Sequence, residues 1–178
     1  TSWYEKYIVP KILKNKHRYE NIEKKTGIPA IFIMCLHARE NSLDLGHFKS
    51  YLGNGQSIHK KTTIVPKNRG PFASWEDGAV DALKYMGLEK VKVWTLSRMC
   101  YEWERYNGFG YKNRKINTPY VWSYTSNYNS GLYVSDGKFS SSSKDKNIGC
   151  FALYKLLEKS LSNNTKTTED VVSVSGQN

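Results

Sequence analysis

The segment from Pro29 to Glu40 constrains the fold more strongly than any other part of the chain. Proline suits the first turn of a helix, so the segment predicts a helix over residues 30–40. This helix is apolar on nearly all sides, which is typical of a helix at the centre of a domain. Its apolar residues are Ile31, Phe32, Ile33, Met34 and Leu36. Other helices must cover it, and it ends at a carboxylate, Glu40.

Capping and stop signals place the surrounding helices. Pro10 interrupts a helical pattern near the start of the chain. Thr26-Gly27 is a helix stop. Ser74, with Asp77 three residues later, is typical of a helix start, and Gly87 ends that helix. We predict helices over residues 3–13, 17–25, 30–40, 75–86, 95–106 and 146–161, with a short helix after Pro119.

The segment from Leu43 to Pro71 is rich in Gly, Asn, Lys and Pro and has no helical pattern. It predicts a long irregular excursion with room for a short hairpin at residues 51–63, and loops of this length are usually functional. The expected fold class is therefore mainly α, with a small irregular or β-containing lobe near residues 50–70. Residues 1–161 are expected to form one domain, and residues 162–178, rich in Ser, Thr and Asn, a flexible tail or linker.

Composition limits the partners. The 178 residues carry a formal net charge of +11, which favours polyanions such as nucleic acid, an anionic membrane or bacterial wall polymers. The spacing of Cys35, Cys100 and Cys150 matches no metal or redox motif, so buried free thiols are expected. No apolar stretch is long enough to span a membrane. The chain has no initiator Met and no signal peptide, and we expect it to be a domain of a longer protein.

Glu40 is the strongest candidate for chemistry. The negative end of the helix dipole and burial both disfavour its ionised form and so raise its pKa. A carboxylic acid kept protonated in an apolar cleft is what cleavage of a glycosidic bond requires of its proton donor. The alternative is a structural ion pair between Glu40 and Arg39 or a neighbouring lysine.

Three motifs resemble those of one superfamily. HARENSLD at 37–44 resembles the glutamate motif of lysozyme-like proteins, with Asn41 in place of the usual Ser. ERYNGFGY at 104–111 is similar to the Tyr-Asn-x-Gly segment of goose-type lysozymes and soluble lytic transglycosylases. PYVWSYTSNYNSGLYVSDGKF at 119–139 resembles the aromatic, cleft-lining segment of bacterial and phage peptidoglycan hydrolases. The order and spacing agree over roughly residues 28–155.

The resemblance implies a helical lysozyme-like domain that cleaves the β-1,4 bond between MurNAc and GlcNAc without a metal or cofactor. Glu40 would be the general acid. The amide of Asn107 suits the acetamido group of an N-acetyl sugar, and Tyr106 could hold the acid in position. The loop around Gln56 and the segment from Tyr120 to Tyr128 would wall the cleft. Among Tyr120, Trp122, Tyr124 and Tyr128, we expect two to face the substrate and the others to lie in the core.

The second carboxylate is left open. Asp44 and Asp136 are candidates, although each is also explained as a turn residue. Gln56 stands 16 residues after Glu40 and is uncharged, so it does not correspond to the aspartate of phage-type lysozymes. Either a water molecule or the sugar's own 6-hydroxyl could attack, and the two mechanisms are equally compatible with the sequence.

The setting that fits best is a phage endolysin or virion-associated lysin, acting as a monomer on peptidoglycan and its anionic polymers. The rival interpretations are a basic nucleic-acid-binding module and a wall-binding module without catalysis. Two basic stretches, residues 11–25 and 60–69, would serve either rival. No zinc spacing or RNA-binding signature is present, and no specific nucleic acid is expected.

Overall fold

The computed structural model describes residues 1–41 and 45–175, with side chains described up to residue 164. The fold is mainly α with one small antiparallel sheet, as predicted. The helices are α1 Ser2–Tyr7, α2 Val9–Lys14, α3 Lys16–Thr26, α4 Ala30–Glu40, α5 Trp75–Tyr85, α6 Leu96–Asn107, α7 Gly110–Asn113, α8 Pro119–Trp122 and α9 Cys150–Ser175, and the strands are β1 Leu132–Ser135 and β2 Lys138–Ser140. A single 3-10 turn, Leu88–Lys90, follows α5.

Helix α4 is the centre of the core, as its apolar composition predicts. Residues 32–38 are all buried, and α4 packs against α3 and α9. The ring of Phe32 stacks on that of Trp103 in α6 at 5.4 Å, and the indole N–H of Trp103 donates to the Phe32 carbonyl at 3.2 Å. This packing positions α4, and with it Glu40 at the C-terminal end of the helix.

Local signals set most helix boundaries. Gly27 ends α3 in the left-handed region with φ of 76°, a conformation that glycine adopts at little cost. The hydroxyl of Ser74 accepts from the Asp77 N–H at the start of α5, and Thr95 caps α6 in the same way. Pro10 divides the first predicted helix into α1 and α2.

The sheet is not at residues 51–63, where the sequence leaves room for a hairpin. There only an isolated bridge joins Ser50 to Ser57, and the segment is irregular but tied to α5. Tyr51 donates its hydroxyl to Asp81 at 2.6 Å, and Arg69 forms an ion pair with the same carboxylate. The hairpin is formed by β1 and β2, with Asp136-Gly137 in its turn.

Helix α9 differs from the predicted last helix at both ends. It begins at Cys150 rather than near Lys146, and its backbone continues to Ser175 instead of ending at Leu161. No Gly or Pro occurs between Cys150 and Ser175, so the polar composition alone does not stop the helix. The division into residues 1–161 and 162–178 stays a prediction.

Other features of the described chain agree with the composition. Cys35, Cys100 and Cys150 are free thiols, and the first and last are buried. None of the helices in the described ranges combines the length and apolar character needed to cross a bilayer. Asp44 lies outside the described residues.

Candidate active site

Glu40 occupies the last turn of α4 and is partly buried. Burial raises the pKa of its carboxyl, and this effect outweighs a hydrogen bond from Tyr120 and the positive charge of Arg39, which both lower it. Within the described ranges Glu40 has no ion-pair partner. The neutral, proton-carrying form of this carboxyl is therefore favoured more than it is in an exposed glutamate.

Arg39, the expected ion-pair partner of Glu40, is engaged elsewhere. Its guanidinium lies 2.9 Å from the carboxylate of Asp145, and both side chains are only 11% exposed. The same guanidinium donates to the carbonyls of Asn147 at 3.3 Å and Ile148 at 3.2 Å. Because Asp145 neutralises Arg39, the arginine lowers the pKa of Glu40 less than an unpaired cation would.

Tyr120, and not Tyr106, orients the acid. The Tyr120 hydroxyl donates to Oε1 of Glu40 at 2.8 Å, and its ring is buried in α8. The Tyr106 hydroxyl instead donates to the Leu52 carbonyl at 2.8 Å. Burial, with Glu40 nearby, raises the pKa of both phenols well above the usual range, so both remain donors. Tyr106 thus links α6 to the irregular segment at Leu52, and Tyr120 is the tyrosine that contacts the Glu40 carboxyl.

A cavity of about 620 Å³ opens beside this pair. It lies between the end of α4, the α6–α7 corner, α8 and the β1–β2 hairpin. Arg39 and Tyr120, the immediate neighbours of Glu40, form part of its wall, whereas Glu40 itself is not one of the residues that line it. Other polar and aromatic side chains in the wall are Asn107, Tyr111, Tyr133, Asp136 and Asp145. A space of this size accommodates a few sugar rings.

Asn107 lies at the mouth of this cavity as an exposed residue at the end of α6. Its side-chain amide makes no hydrogen bond to the described part of the chain, so both its donor and its acceptor are available to a ligand. Gly108 follows with φ of 96° and ends the helix. Asn107-Gly108 is thus a helix stop that also leaves a free amide on the cavity.

Three predicted cleft residues do not belong to the wall of this cavity. The Gln56 amide donates to the Thr63 hydroxyl at 2.9 Å and accepts from the Thr63 and Ile64 N–H groups, so it braces its own loop. Trp122 packs on Phe151 with ring centres 5.2 Å apart. Tyr128 is buried, and its hydroxyl donates to the Gly131 carbonyl at 2.8 Å.

Of the four aromatic residues in the 120–128 segment, Tyr120 alone lines this cavity, and Tyr124 is exposed elsewhere. The other aromatic walls come from Tyr111 and Tyr133, which sequence reasoning missed. Their rings meet edge to face at 5.0 Å, and the Tyr111 hydroxyl accepts from the Tyr133 N–H at 3.0 Å. The four residues of LYVS alternate only weakly, so the sequence carried no clear signal that Tyr133 would line the cavity.

A buried chain of polar groups supports the end of α4 from the side of α3. His37 is fully buried, and burial lowers its pKa to about 3, which keeps the imidazole neutral. One ring nitrogen is 2.8 Å from the Tyr19 hydroxyl, and the other is bonded to the side-chain amide of Asn41. Asn41, which stands where the resembling motifs have Ser, directly follows Glu40. Its bond to His37 thus holds the backbone just after Glu40 in place.

Comparisons with protein-family models, with curated proteins and with solved structures found no match to this chain. In the portion of the chain that the structure describes, no three His, Cys, Asp or Glu side chains gather as a metal site would require.

Proposed function

We propose that the protein is a peptidoglycan hydrolase that cleaves the β-1,4 bond between MurNAc and GlcNAc with Glu40 as general acid. The observation that carries this proposal is the state of Glu40. It is a carboxyl with a raised pKa and no ion pair among the described residues, held by a tyrosine hydroxyl at 2.8 Å beside an open cavity. A merely structural glutamate at a helix end would be expected to have a cation as its partner.

The hydrogen bond from Tyr120 bears on the proton's location. A neutral carboxyl has one carbonyl oxygen and one hydroxyl oxygen. Because Oε1 accepts from Tyr120, the acidic proton is left on Oε2. That proton would pass to the glycosidic oxygen as the bond to the sugar breaks, and the developing carboxylate would be stabilised by the same Tyr120 donor.

Asn107 and the aromatic walls would bind the glycan. The free amide of Asn107 matches an acetamido group, which offers one N–H and one carbonyl. Tyr111 and Tyr133 offer apolar ring surface suited to the faces of pyranose rings. Asp136, exposed in the hairpin turn that lines the cavity, is the described candidate for directing water. Without a second carboxylate the 6-hydroxyl of the sugar would attack.

The test compares products from purified sacculi by mass spectrometry for the wild type, Glu40→Gln and Glu104→Gln. Glu104 is the matched control, because burial also raises its pKa, although no tyrosine hydrogen bond holds it. Glu40→Gln should lower turnover by ~10²–10⁴, the usual value of a general acid, with an unchanged circular dichroism spectrum. Glu104→Gln should keep its activity. Wild-type lysis by Glu40→Gln would refute the proposal.

The same spectra separate the two mechanisms. Reducing ends indicate attack by water, and 1,6-anhydro ends indicate attack by the sugar's own hydroxyl. If water attacks under the direction of Asp136, Asp136→Asn should abolish formation of reducing ends. If anhydro products dominate, Asp136→Asn should leave turnover nearly unchanged, because that mechanism needs only Glu40.

A further inference from the structure

A second concave site, of about 340 Å³, lies between the 3-10 turn and α6, outside the candidate active site. Its charged wall consists of Lys90, Arg98, Arg105 and Glu102, and Tyr101 supplies an aromatic side. The wall of this small concavity therefore carries three positively charged side chains and one carboxylate, that of Glu102.

That carboxylate is already satisfied inside the protein. Glu102 is only 2% exposed, and each of its oxygens accepts from one arginine, from Arg105 Nε at 2.9 Å and Arg98 Nε at 3.3 Å. Arg105 also donates to the Met86 carbonyl at 2.6 Å. One well-placed arginine suffices to neutralise a buried glutamate. Arg105 has the shorter bond to Glu102, which makes Arg98 the arginine that can be spared.

Arg98 and Lys90 are exposed to solvent and are able to bind an anionic ligand. The Arg98 side chain is 46% exposed, and its guanidinium lies 6.0 Å from the centre of the Tyr101 ring. Only its Nε bonds to Glu102, so both terminal NH₂ groups make no hydrogen bond within the described chain. Lys90 is exposed and makes no ion pair within that same part of the molecule. Glu89 lies beside Lys90 in sequence, but it is not one of the residues that line the concavity. The concavity therefore keeps a net positive charge.

An aromatic pair connects this site to the larger cavity. The ring of Tyr101 lies 6.0 Å from that of Phe109. Phe109 stands between Gly108 and Gly110, which both line the 620 Å³ cavity. Both sites thus border α6, the second along its length and the first at its C-terminal end.

We propose that the concavity of Lys90, Arg98 and Arg105 binds a phosphodiester group of an anionic wall polymer. The planar guanidinium of Arg98 matches two phosphate oxygens, and Lys90 adds a compact charge. One small pocket beside one exposed ring fits a single phosphate with its polyol or sugar. Single-stranded nucleic acid would instead need a groove with successive stacking platforms.

This assignment rests on the proposed function for the identity of the polymer, whereas binding itself is independent of catalysis. The experiment is isothermal titration calorimetry with a poly(glycerol phosphate) oligomer, which contains no glycosidic bond to cleave. Wild type is compared with Lys90→Gln, Arg98→Gln and the double variant. The matched control is Lys24→Gln/Lys25→Gln, which removes the same charge from exposed positions on α3.

The double variant should weaken binding by about tenfold or more, because charge-assisted hydrogen bonds are lost. The control should change it by less than about twofold. Lys90→Gln is informative even if Arg98→Gln melts early, since Lys90 has no bond to lose within the described chain.

Equal weakening by the control pair would show that only the general basic surface binds, and it would overturn the proposal. So would an absence of binding by the wild type at low salt. An oligonucleotide of equal charge that binds as tightly and loses affinity in the same variants would overturn the assignment to a wall polymer. Binding with no lysis of sacculi would leave this site standing and refute only the proposed activity.

Discussion

Removal of the Tyr120 hydroxyl tests the geometry around Glu40 most directly. In Tyr120→Phe the buried ring keeps its packing, and one hydrogen bond of 2.8 Å to Glu40 is lost. A hydrogen bond to a neutral group contributes ~0.5–1.5 kcal/mol. A loss of ~1 kcal/mol in the transition state corresponds to about a fivefold lower kcat. KM should hardly change, because the hydroxyl contacts the acid and not the substrate.

The same substitution has a predicted direction on the pH profile. The Tyr120 hydrogen bond lowers the pKa of Glu40, so its loss raises that pKa further. Under the proposed mechanism, activity requires protonated Glu40 and is lost as the pH rises through this pKa. The alkaline limb of kcat against pH should therefore move to higher pH in Tyr120→Phe.

Tyr106→Phe is the matched control, since it deletes the same atom from another tyrosine near Glu40. Here the lost bond ends on the Leu52 carbonyl, so the expected cost is ~1 kcal/mol in unfolding free energy. Its kcat and alkaline limb should match the wild type. The assay is initial rates on soluble glycan fragments across the pH range, with urea unfolding alongside. Equal losses of kcat in both variants, or an unmoved limb in Tyr120→Phe, would refute the assignment of Tyr120 as the orienting group.

Three further substitutions have definite expected outcomes. Glu40→Gln should raise the free energy of unfolding at neutral pH, because the folded state resists ionisation of this carboxyl. The gain should fade as the pH drops toward the ordinary glutamate pKa of 4.5, and an unchanged gain in urea unfolding at ~pH 4 would count against it. Asn107→Ala should lower kcat/KM by about 5- to 150-fold without changing Tm, for loss of ~1–3 kcal/mol of binding to an acetamido group; a lower Tm at full activity would assign it a purely structural role. Asp145→Asn should destabilise the fold by ~3 kcal/mol, because it leaves the Arg39 charge unpaired, and should shift the alkaline limb to lower pH by lowering the pKa of Glu40; a limb that stays in place would show that Arg39 is too well screened to act.

The sequence predicts most reliably the features that depend on interactions between neighbouring residues, such as helix starts and ends. The apolar run before Glu40, the stop at Gly27 and the cap at Ser74 depend on residues within one or two helical turns, and all three were predicted correctly. The strands of the hairpin at 132–140 were not predicted, since they have only three or four residues and weak alternation. Its Asp136-Gly137 turn was correctly identified.

The partners around Glu40 depend on contacts between distant parts of the chain. Tyr106 and Tyr120 are both tyrosines near helix ends, and nothing in their local sequence distinguishes which hydroxyl reaches the acid. The packing of α6 and α8 on α4 decides between them. The ion pair between Arg39 and Asp145 is equally invisible in sequence, because 106 residues separate its members.

The distance in sequence between Glu40 and the residues around it has a consequence for when this site forms. Glu40 is synthesised early, but the tyrosine that orients it follows 80 residues later, and the carboxylate that occupies its neighbour Arg39 comes later still. The raised pKa of Glu40 thus depends on segments that follow it in the chain, and we expect any opening that moves Asp145 away from Arg39 to lower that pKa while the central helix is still folded.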